Sequence, residues 1–383
     1  MAKNTYTVRS PRHSDMESLK RFFIQAYGAQ TIFQDSRFLN WYFNPPNEHA
    51  SFMELSVVGV DKHDSIVAHY GGLRYSLMLN RAPVSMVWGV NAYTLPEWRG
   101  LGINSKLVDA MMTKCDVYGV IGFSPETVSF YERLGFNLFS SQKFNRYVFS
   151  LDEATFDVVK AIERDPVRAR ILLDTTPPET LSAIEYDRNN IVEITADNLQ
   201  MFTIGYDYST TVTTQRSLNH LKWRFLHNPY LGYDWIAYVS EHRMLGYAVV
   251  RRERLNPTGH YASRIIDLYG QDDWMANVLN EVKSRARKRK DIFVDFSSFG
   301  HPYQDILKNA GFCLLQNEDV GLLPQVTAPI SDRPNHEYLG LFSVEFRKEI
   351  QSLDAGEVYF TRADSDRDRL SSINQITQPG KMK

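Results

Sequence analysis

Residues 96–106 read PEWRGLGINSK, and this stretch decides the fold of the chain. An arginine precedes a Gly-Leu-Gly turn, and apolar residues recur at helical spacing over residues 107–112. The first N–H groups of a helix and its dipole attract an anion, glycine keeps side-chain atoms away from the bound group, and arginine suits phosphate. The stretch therefore favours a phosphate-binding turn between a strand and a helix, with a plain turn as the alternative.

The segments around this turn indicate which phosphate-binding fold it belongs to. Runs of β-branched and aromatic residues precede it and are separated by short polar turns, as in an antiparallel meander. A dinucleotide-binding unit would need a third glycine and a parallel strand order, and a P-loop would need Gly-Lys-Ser or Gly-Lys-Thr at its end. The sequence has neither the third glycine nor the Gly-Lys-Ser or Gly-Lys-Thr, so both of these folds are disfavoured. The predicted strands are residues 52–60, 65–79, 84–95, 117–123 and 145–151, and a short helix covers residues 126–136.

The order of elements restarts near residue 191, which indicates an internal repeat. FLNWYFNPP at 38–46 resembles LKWRFLHNPY at 221–230, and FYERLGF at 130–136 resembles ILKNAGF at 306–312. We therefore predict a tandem duplication. The predicted domains are a first module at 1–151, a helical connector at 152–190, a degenerate second module at 191–350 and a polar tail at 351–383.

Two motifs at a characteristic spacing carry a family resemblance. RGLGIN at 99–104 matches the pattern Arg/Gln-x-x-Gly-x-Gly/Ala, and SPETVSFY at 124–131, followed by Gly135 and Phe136, is close to Asn-x-x-Ala-x-x-Phe-Tyr and its Gly-Phe. On these residues the chain resembles the GNAT acyltransferases over about residues 5–150. The resemblance implies an α/β fold of two tandem GNAT-like modules, each a mixed, mostly antiparallel sheet flanked by helices.

The resemblance also implies acyl-coenzyme A as co-substrate and suggests roles for several residues. Tyr131 matches the tyrosine that protonates the departing thiolate. Asn104 stands where the family has a small residue, Ser124 and Thr127 replace Asn and Ala, and the fourth strand has no Asp or Glu to act as a base. The residues expected to bind the coenzyme are Tyr93, Thr94, Leu95, Arg99, Gly100, Leu101, Gly102, Ile103, Asn104, Ser124 and Tyr131.

The base that takes the proton from the attacking amine and the site that binds the amine substrate each have competing interpretations. His69 lies beside two glycines on a predicted strand, where it is expected to be either a catalytic base or a structural residue, and water is an equal alternative as the base. The repeated Trp-rich elements either stack on a sugar or a nucleotide base or anchor the domain cores. The expected substrate-binding residues are Trp41, Tyr42, Asn91, Trp223 and Arg224.

The second half lacks the features of a coenzyme site. Its corresponding turn, LYGQDDWMANV at 268–278, has no arginine and no Gly-x-Gly, and its two aspartates at a helix start would repel a pyrophosphate. We therefore predict one coenzyme site, in the first module. The acidic stretch TRADSDRDR at 361–369 lacks the Gly and Glu of a calcium loop. It is expected either to be a solvated tail or to fold over the acceptor site and bind a cationic amine.

Composition narrows the partners and the compartment. The formal net charge of −2 gives no overall attraction to nucleic acid, and the basic run SRARKRK at 284–290 is expected to be a solvated helix end. The two cysteines provide no disulfide framework or metal spacing, and no signal peptide or long apolar run is recognised. We therefore expect a cytoplasmic protein with small-molecule substrates, no metal, no nucleic acid and no membrane partner.

Together these features predict an acyl-CoA-dependent N-acyltransferase. On resemblance, the expected acceptor is the amino group of a nucleotide-linked amino-deoxysugar, such as a dTDP-3-amino-3,6-dideoxyhexose, which takes an acetyl or 3-hydroxybutanoyl group. The alternatives are an aminoglycoside or small-amine acetyltransferase with an acidic pocket, a non-catalytic acyl-CoA sensor, and a transferase that uses aminoacyl-tRNA.

Overall fold

The structure is a computed structural model that describes residues 5–42, 54–140, 144–155, 186–207, 212–255, 259–315 and 338–376. Most of the predicted connector, residues 156–185, lies outside the described part. The strands, in chain order, are β1 Tyr6–Arg9, β2 Ser56–Asp61, β3 Ile66–Leu79, β4 Ala82–Thr94, β5 Val117–Phe123, β6 Asn137–Phe139, β7 Phe144–Ser150, β8 Ile191–Ile194, β9 Thr203–Ile204, β10 Thr213–Thr214, β11 Asp234–Ser240, β12 Arg243–Arg254, β13 Tyr261–Gly270, β14 Phe293–Phe299, β15 Cys313–Leu315, β16 Tyr338–Phe342 and β17 Phe360–Thr361.

Helices flank these strands. They are α1 Met16–Tyr27, α2 Ser36–Tyr42, α3 Ile103–Met112, α4 Pro125–Arg133, α5 Leu218–Leu221, α6 Asp272–Lys288, α7 Gln304–Asn309 and α8 Arg347–Ser352, with a π-helical turn at Lys222–Leu226 directly after α5. In α1 the buried residues Leu19, Phe22 and Phe23 recur at a spacing of three and four, so that one apolar stripe faces the sheet. Within the described residues, no helix is long and apolar enough to cross a membrane.

The strands form two sheets with the same topology. The first runs β1-β2-β3-β4-β5-β16-β6, and the second runs β8-β11-β12-β13-β14-β7-β15 in the corresponding positions. In each sheet the fourth and fifth strands pair in parallel, and the pairings among the first four strands are antiparallel. These pairings confirm the expected pair of mixed, mostly antiparallel modules flanked by helices.

The two modules exchange one strand. We expected residues 145–151 to close the first module, but β7 lies in the second sheet, between β14 and β15. In return, β16 from the second half lies in the first sheet, between β5 and β6. The chain therefore crosses between the modules in both directions, and residue 151 does not separate the two sheets.

The two Trp-rich repeats meet where the modules join. Trp41 Nε1 donates to the carbonyl of Trp223 at 2.9 Å, and Trp223 Nε1 donates to the carbonyl of Trp41 at 2.8 Å. The two indole rings stack with centroids 5.6 Å apart. Because each repeat supplies the same donor, ring and acceptor, the junction has local two-fold symmetry.

Candidate active site

A cavity of about 780 Å³ opens where two neighbouring strands of the first sheet separate. Parallel pairing of β4 with β5 runs from Met86 opposite Val117 to Gly89 opposite Val120 and stops there. Beyond these pairs, residues 90–94 of β4 and 121–123 of β5 line the cavity. The separation leaves room between two strands for an extended ligand.

A β-bulge in β4 accompanies this separation. The register between β3 and β4 shifts between His69 and Gly71, and Asn91 of β4 has a left-handed backbone with φ of 54°. The His69 ring nitrogen Nδ1 lies 3.1 Å from the carbonyl oxygen of Asn91. A carbonyl only accepts, so Nδ1 carries the hydrogen and donates. His69 therefore supports the carbonyl at the bulge, and bulges bend strands.

The environment of His69 argues for a structural role rather than that of a base. Its side chain is fully buried and packs against Phe22 and Phe23 of α1. Burial lowers the pKa of His69 to about 4, although the hydrogen bond to Asn91 favours the charged form. His69 is not among the described residues that line the cavity.

The glycine turn at residues 99–104 forms one end of the cavity. Gly100 and Gly102 have φ of 75° and 76°, and Gly102 caps the start of α3. A Cβ at Gly100 would meet nothing within 4 Å, so glycine is needed here for its left-handed backbone rather than for space. Ile103 and Asn104, in the first turn of α3, line the cavity. Their position brings the positive end of the helix dipole to this end of the cavity.

Arg99 is held beside the turn by two contacts. Its Nε donates to the carbonyl of Thr94 at 3.0 Å, and its guanidinium lies 5.3 Å from the ring centroid of Tyr93. These contacts use one of the five donors of arginine and fix the plane of the fork. The expected coenzyme-binding residues that line the cavity are Tyr93, Thr94, Arg99, Gly100, Gly102, Ile103, Asn104, Ser124 and Tyr131.

Two residues expected to bind the coenzyme lie elsewhere. The Leu95 amide donates to the carbonyl of Val67 at 2.9 Å and its side chain is buried, so this amide already has a partner. Leu101 is 40% exposed, and its carbonyl accepts a hydrogen bond from Tyr6. Neither is among the described residues that line the cavity.

Tyr131 lies on the cavity wall within a cluster of buried tyrosines. Its hydroxyl is 2.8 Å from the Tyr70 hydroxyl, and Tyr118 packs edge-on against Tyr70. Burial, followed by the proximity of Tyr70, raises the pKa of Tyr131 well above its ordinary value. Tyr131 is therefore a protonated donor over the physiological pH range. The cluster is tightly packed, because a Cβ at Gly89 would collide with the hydroxyl of Tyr118, so this strand position accepts only glycine.

The Trp-rich repeats bind the protein's own chain. Trp41, Trp223 and Arg224 are all less than 10% exposed. Arg224 Nε donates to the carbonyl of Ala363 at 2.9 Å. These three residues are not among the described residues that line the cavity, whereas Asn91 is. Tyr42 is fully buried and is likewise not among the described residues that line the cavity. The expectation that the tryptophans stack on a sugar thus receives no support from their location.

The C-terminal segment, which we define as residues 358–370, is part of the site. We weighed a solvated tail, but much of the segment is buried, and Asp366, Arg367 and Arg369 line the cavity. Sequence reasoning also missed Tyr27, at the end of α1, which lines it too. The acidic stretch itself was the available signal, through the alternative that it folds over the acceptor site.

The same segment fills the corresponding opening in the second module. Parallel pairing of β13 with β14 ends at Ile265 opposite Phe296. Beyond it, β17 pairs with β14, and the Ala363 amide donates to the carbonyl of Ile266 in β13 at 3.2 Å. The segment therefore occupies the second opening. A second observation is that α6 begins with two aspartates, which would repel a pyrophosphate. Both observations agree with our prediction of one coenzyme site.

Comparison with known proteins supports the enzyme class. Residues 7–139 match a family model described as an acetyltransferase (GNAT) domain. No curated protein matches the chain by sequence. The match includes the turn at 99–104, Tyr131, the strands β2–β6 and all of β1 but its first residue.

Similar solved structures share the fold over most of the chain. A probable N-acyltransferase from Enterococcus faecalis V583 has a TM-score of 0.56 and 13% identity, covering 89% of this chain and 73% of that one. A GCN5-related N-acetyltransferase from Anabaena variabilis has a TM-score of 0.55 and 11% identity, covering 88% of this chain and 72% of that one. Saccharomyces cerevisiae N-myristoyltransferase, solved with bound myristoyl-CoA, has a TM-score of 0.50 and 9% identity, covering 89% of this chain and 79% of that one. At these identities the likeness concerns the fold. Residues 7–139 match a GNAT acetyltransferase domain, and this match supports an acyl-CoA-dependent N-acyltransferase.

Proposed function

We propose that the protein transfers an acetyl or 3-hydroxybutanoyl group from coenzyme A to the amino group of a nucleotide-linked amino-deoxysugar, such as a dTDP-3-amino-3,6-dideoxyhexose. One observation carries the transferase part of the proposal: a single cavity connects the phosphate-binding turn with Tyr131. In this proposal the pyrophosphate binds at Arg99 and the start of α3, and the pantetheine arm lies in the opening between β4 and β5.

The chemistry requires one bond to form and one to break. The acceptor amine, after losing a proton to water, attacks the thioester carbonyl, so that a C–N bond forms and the C–S bond breaks. The departing sulfur takes a proton from the Tyr131 hydroxyl, and the proton released by the acylated nitrogen restores Tyr131 through Tyr70 and water. The burial that raises the pKa of Tyr131 also makes a nearby thiolate more basic, so the transfer remains feasible.

The charges of the cavity support an anionic acceptor. Within the described residues, the lining includes, besides Arg99 at the pyrophosphate, two guanidinium groups, of Arg367 and Arg369, and one carboxylate, of Asp366. An aminoglycoside acceptor would be a polycation and would favour the opposite balance. A sugar linked to a nucleotide diphosphate is negatively charged and suits this lining. The aminoglycoside alternative is therefore disfavoured, because the other two aspartates of the stretch are buried in ion pairs of the protein.

Thermal-shift measurements with coenzyme A, acyl-coenzyme A variants and nucleotide sugars test the proposal. A ligand at 100 times its Kd stabilises the folded state by about 2.7 kcal/mol, which is measurable as a rise in Tm. We expect coenzyme A to raise Tm. Arg99→Ala should raise the Kd for coenzyme A by about tenfold to a hundredfold, because a charge-assisted hydrogen bond is lost, and the rise in Tm should be smaller. Arg133→Ala, an exposed arginine on α4, is the matched control. No shift with any coenzyme A compound would refute the coenzyme site.

Tyr131→Phe distinguishes an enzyme from a non-catalytic sensor. Loss of a general acid costs about a hundredfold or more in kcat, and the ring that packs in the cluster is retained. We expect coenzyme A binding to persist and the release of free thiol from acetyl-CoA with an amine to fall by that factor. Unchanged turnover would remove Tyr131 from the mechanism.

A further inference from the structure

The acidic stretch in the C-terminal segment contains three aspartates with two kinds of environment. Asp364 pairs with Arg216 at 2.8 Å, and Asp368 pairs with Arg251 at 3.1 Å. The side chains of these two aspartates are 1% and 0% exposed, respectively. Asp366, between them, is 17% exposed and lines the cavity.

The flanking pairs fix the position of Asp366. Asp368 also accepts a hydrogen bond from the Tyr233 hydroxyl at 2.6 Å, and Asp364 accepts one from the backbone of Thr361 at 2.7 Å. Each flanking aspartate is therefore tied to the second module by a buried arginine. Asp366 is thereby held rigidly at the wall of the first module's cavity.

The surroundings of Asp366 keep its carboxylate ionised. Burial opposes ionisation, but the charges of Arg369 and Arg367 outweigh it and hold the pKa of Asp366 below its ordinary value. Arg369 Nε donates to one oxygen, Oδ2, at 3.1 Å. In the described part of the chain, Asp366 is the one carboxylate that lines the cavity.

We infer that Asp366, delivered to the first module by the C-terminal segment, is the carboxylate that binds the amino group of the acceptor. This inference rests on the proposed acyltransferase function. A primary amine reaches the cavity mainly as an ammonium ion at neutral pH, and a partly buried carboxylate binds such an ion by a charge-assisted hydrogen bond. The fourth strand lacks an acidic residue, so the segment supplies the charge that β4 does not.

The neighbouring residues are consistent with an amine between Asp366 and the thioester. Asn91 at the bulge and Tyr27 on α1 line the same cavity as Asp366. The rings of Tyr27 and Tyr93 meet edge-on at 5.5 Å and form an aromatic wall. An aromatic face and a carboxylate are together a suitable site for an ammonium group. Asp366 is assigned here to binding and orienting the amine, and the proton released on attack passes to water.

A purely structural role is the competing interpretation, because Asp366 also pairs with Arg369. The two roles predict different effects for Arg369→Gln. If Asp366 only balances Arg369, removing either partner should lower activity alike. If Asp366 binds the amine, Arg369→Gln removes a competing cation, and the KM for the amine should fall or stay the same.

The test measures release of coenzyme A from acetyl-CoA with methylamine, a primary amine small enough to enter any acceptor site. Asp366→Asn should lower kcat/KM for methylamine by tenfold or more, with the Kd for coenzyme A changed by less than twofold. Asp366→Glu should recover part of the loss, because the charge is retained. Asp197→Asn, at an exposed aspartate that is not among the described residues lining the cavity, is the matched control and should leave kcat/KM for methylamine unchanged.

The outcomes separate this inference from the proposed function. Equal kcat/KM for methylamine in wild type and Asp366→Asn would overturn the inference, and so would equal losses in Asp366→Asn and Arg369→Gln. A wild-type protein that binds coenzyme A but shows no methylamine-dependent release above hydrolysis would also overturn it. Failure to bind coenzyme A at all would instead refute the proposed function.

Discussion

Acidification should destabilise the protein through two buried histidines, and the size of the effect follows from their environments. Burial lowers the pKa of His69 to about 4. For His220, burial and then the charges of Arg216 and Arg224 lower the pKa to about 3. Both folded-state values lie below the ordinary value of 6.5. The unfolded chain therefore binds protons that the folded chain does not, and stability falls as the pH decreases below about 6.5.

The magnitude can be worked out for each residue. With an unfolded pKa of 6.5 and a folded pKa of about 4, His69 costs about 2 kcal/mol of unfolding free energy between pH 7.5 and pH 5. His220 adds about 2 kcal/mol over the same interval. A loss of about 4 kcal/mol is a large part of the 5–15 kcal/mol typical of folded proteins. We therefore expect a marked decrease in stability near pH 5.

Urea unfolding followed by tryptophan fluorescence at pH 7.5, 6 and 5 measures this effect. His69→Asn retains an amide donor for the Asn91 carbonyl but does not titrate, so its loss between pH 7.5 and 5 should be smaller than that of wild type by about 2 kcal/mol. His63→Asn, at an exposed turn, controls for removal of an imidazole. An equal pH-dependent loss in wild type and His69→Asn would refute the view that His69 is buried in its neutral form.

Three further substitutions test other parts of the structure. Gly122→Ala places a side chain at φ of 77° and against the guanidinium of Arg367, so we expect a lower Tm and weaker acceptor binding, measured by thermal melts and by the KM for the amine. Trp41→Phe and Trp223→Phe each remove one of the two reciprocal hydrogen bonds, and a double-mutant cycle should give a coupling of about 0.5–3 kcal/mol, whereas strict additivity would argue against a joint contact. Arg216→Met leaves two buried aspartates without their counter-charge and should cost about 3–5 kcal/mol in chemical denaturation.

The glycine turn at the cavity was predictable because its determinants are local. A turn with two left-handed glycines, an arginine before it and a helix after it occupies fewer than twenty residues, and nearest-neighbour sterics largely define its shape. The residues from Arg99 to Asn104 accordingly lie at the cavity, with Leu101 as the exception. The Leu101 side chain is 40% exposed.

Other expectations failed where burial, which the sequence does not state, decides the role. His69 was equally suited to catalysis or to packing, and the two phenylalanines of α1 that enclose it lie more than forty residues earlier. The tryptophans likewise had two uses, and the stacking of Trp41 on Trp223 depends on a contact across 182 residues. A residue type limits the chemistry that is possible, but its depth in the fold determines which chemistry it performs.

The sequence by itself determined the two modules and the glycine turn between β4 and α3, because strand periodicity, glycine turns and helix starts are properties of neighbouring residues. Only the tertiary structure decided that β7 and β16 exchange sheets, that residues 358–370 fill the opening of the second module, and that Asp366 enters the cavity of the first. These arrangements depend on buried ion pairs between residues more than one hundred positions apart, such as Asp364 with Arg216. Several aspartates and arginines have the charge to form such pairs, and only the packed fold selects which of them meet.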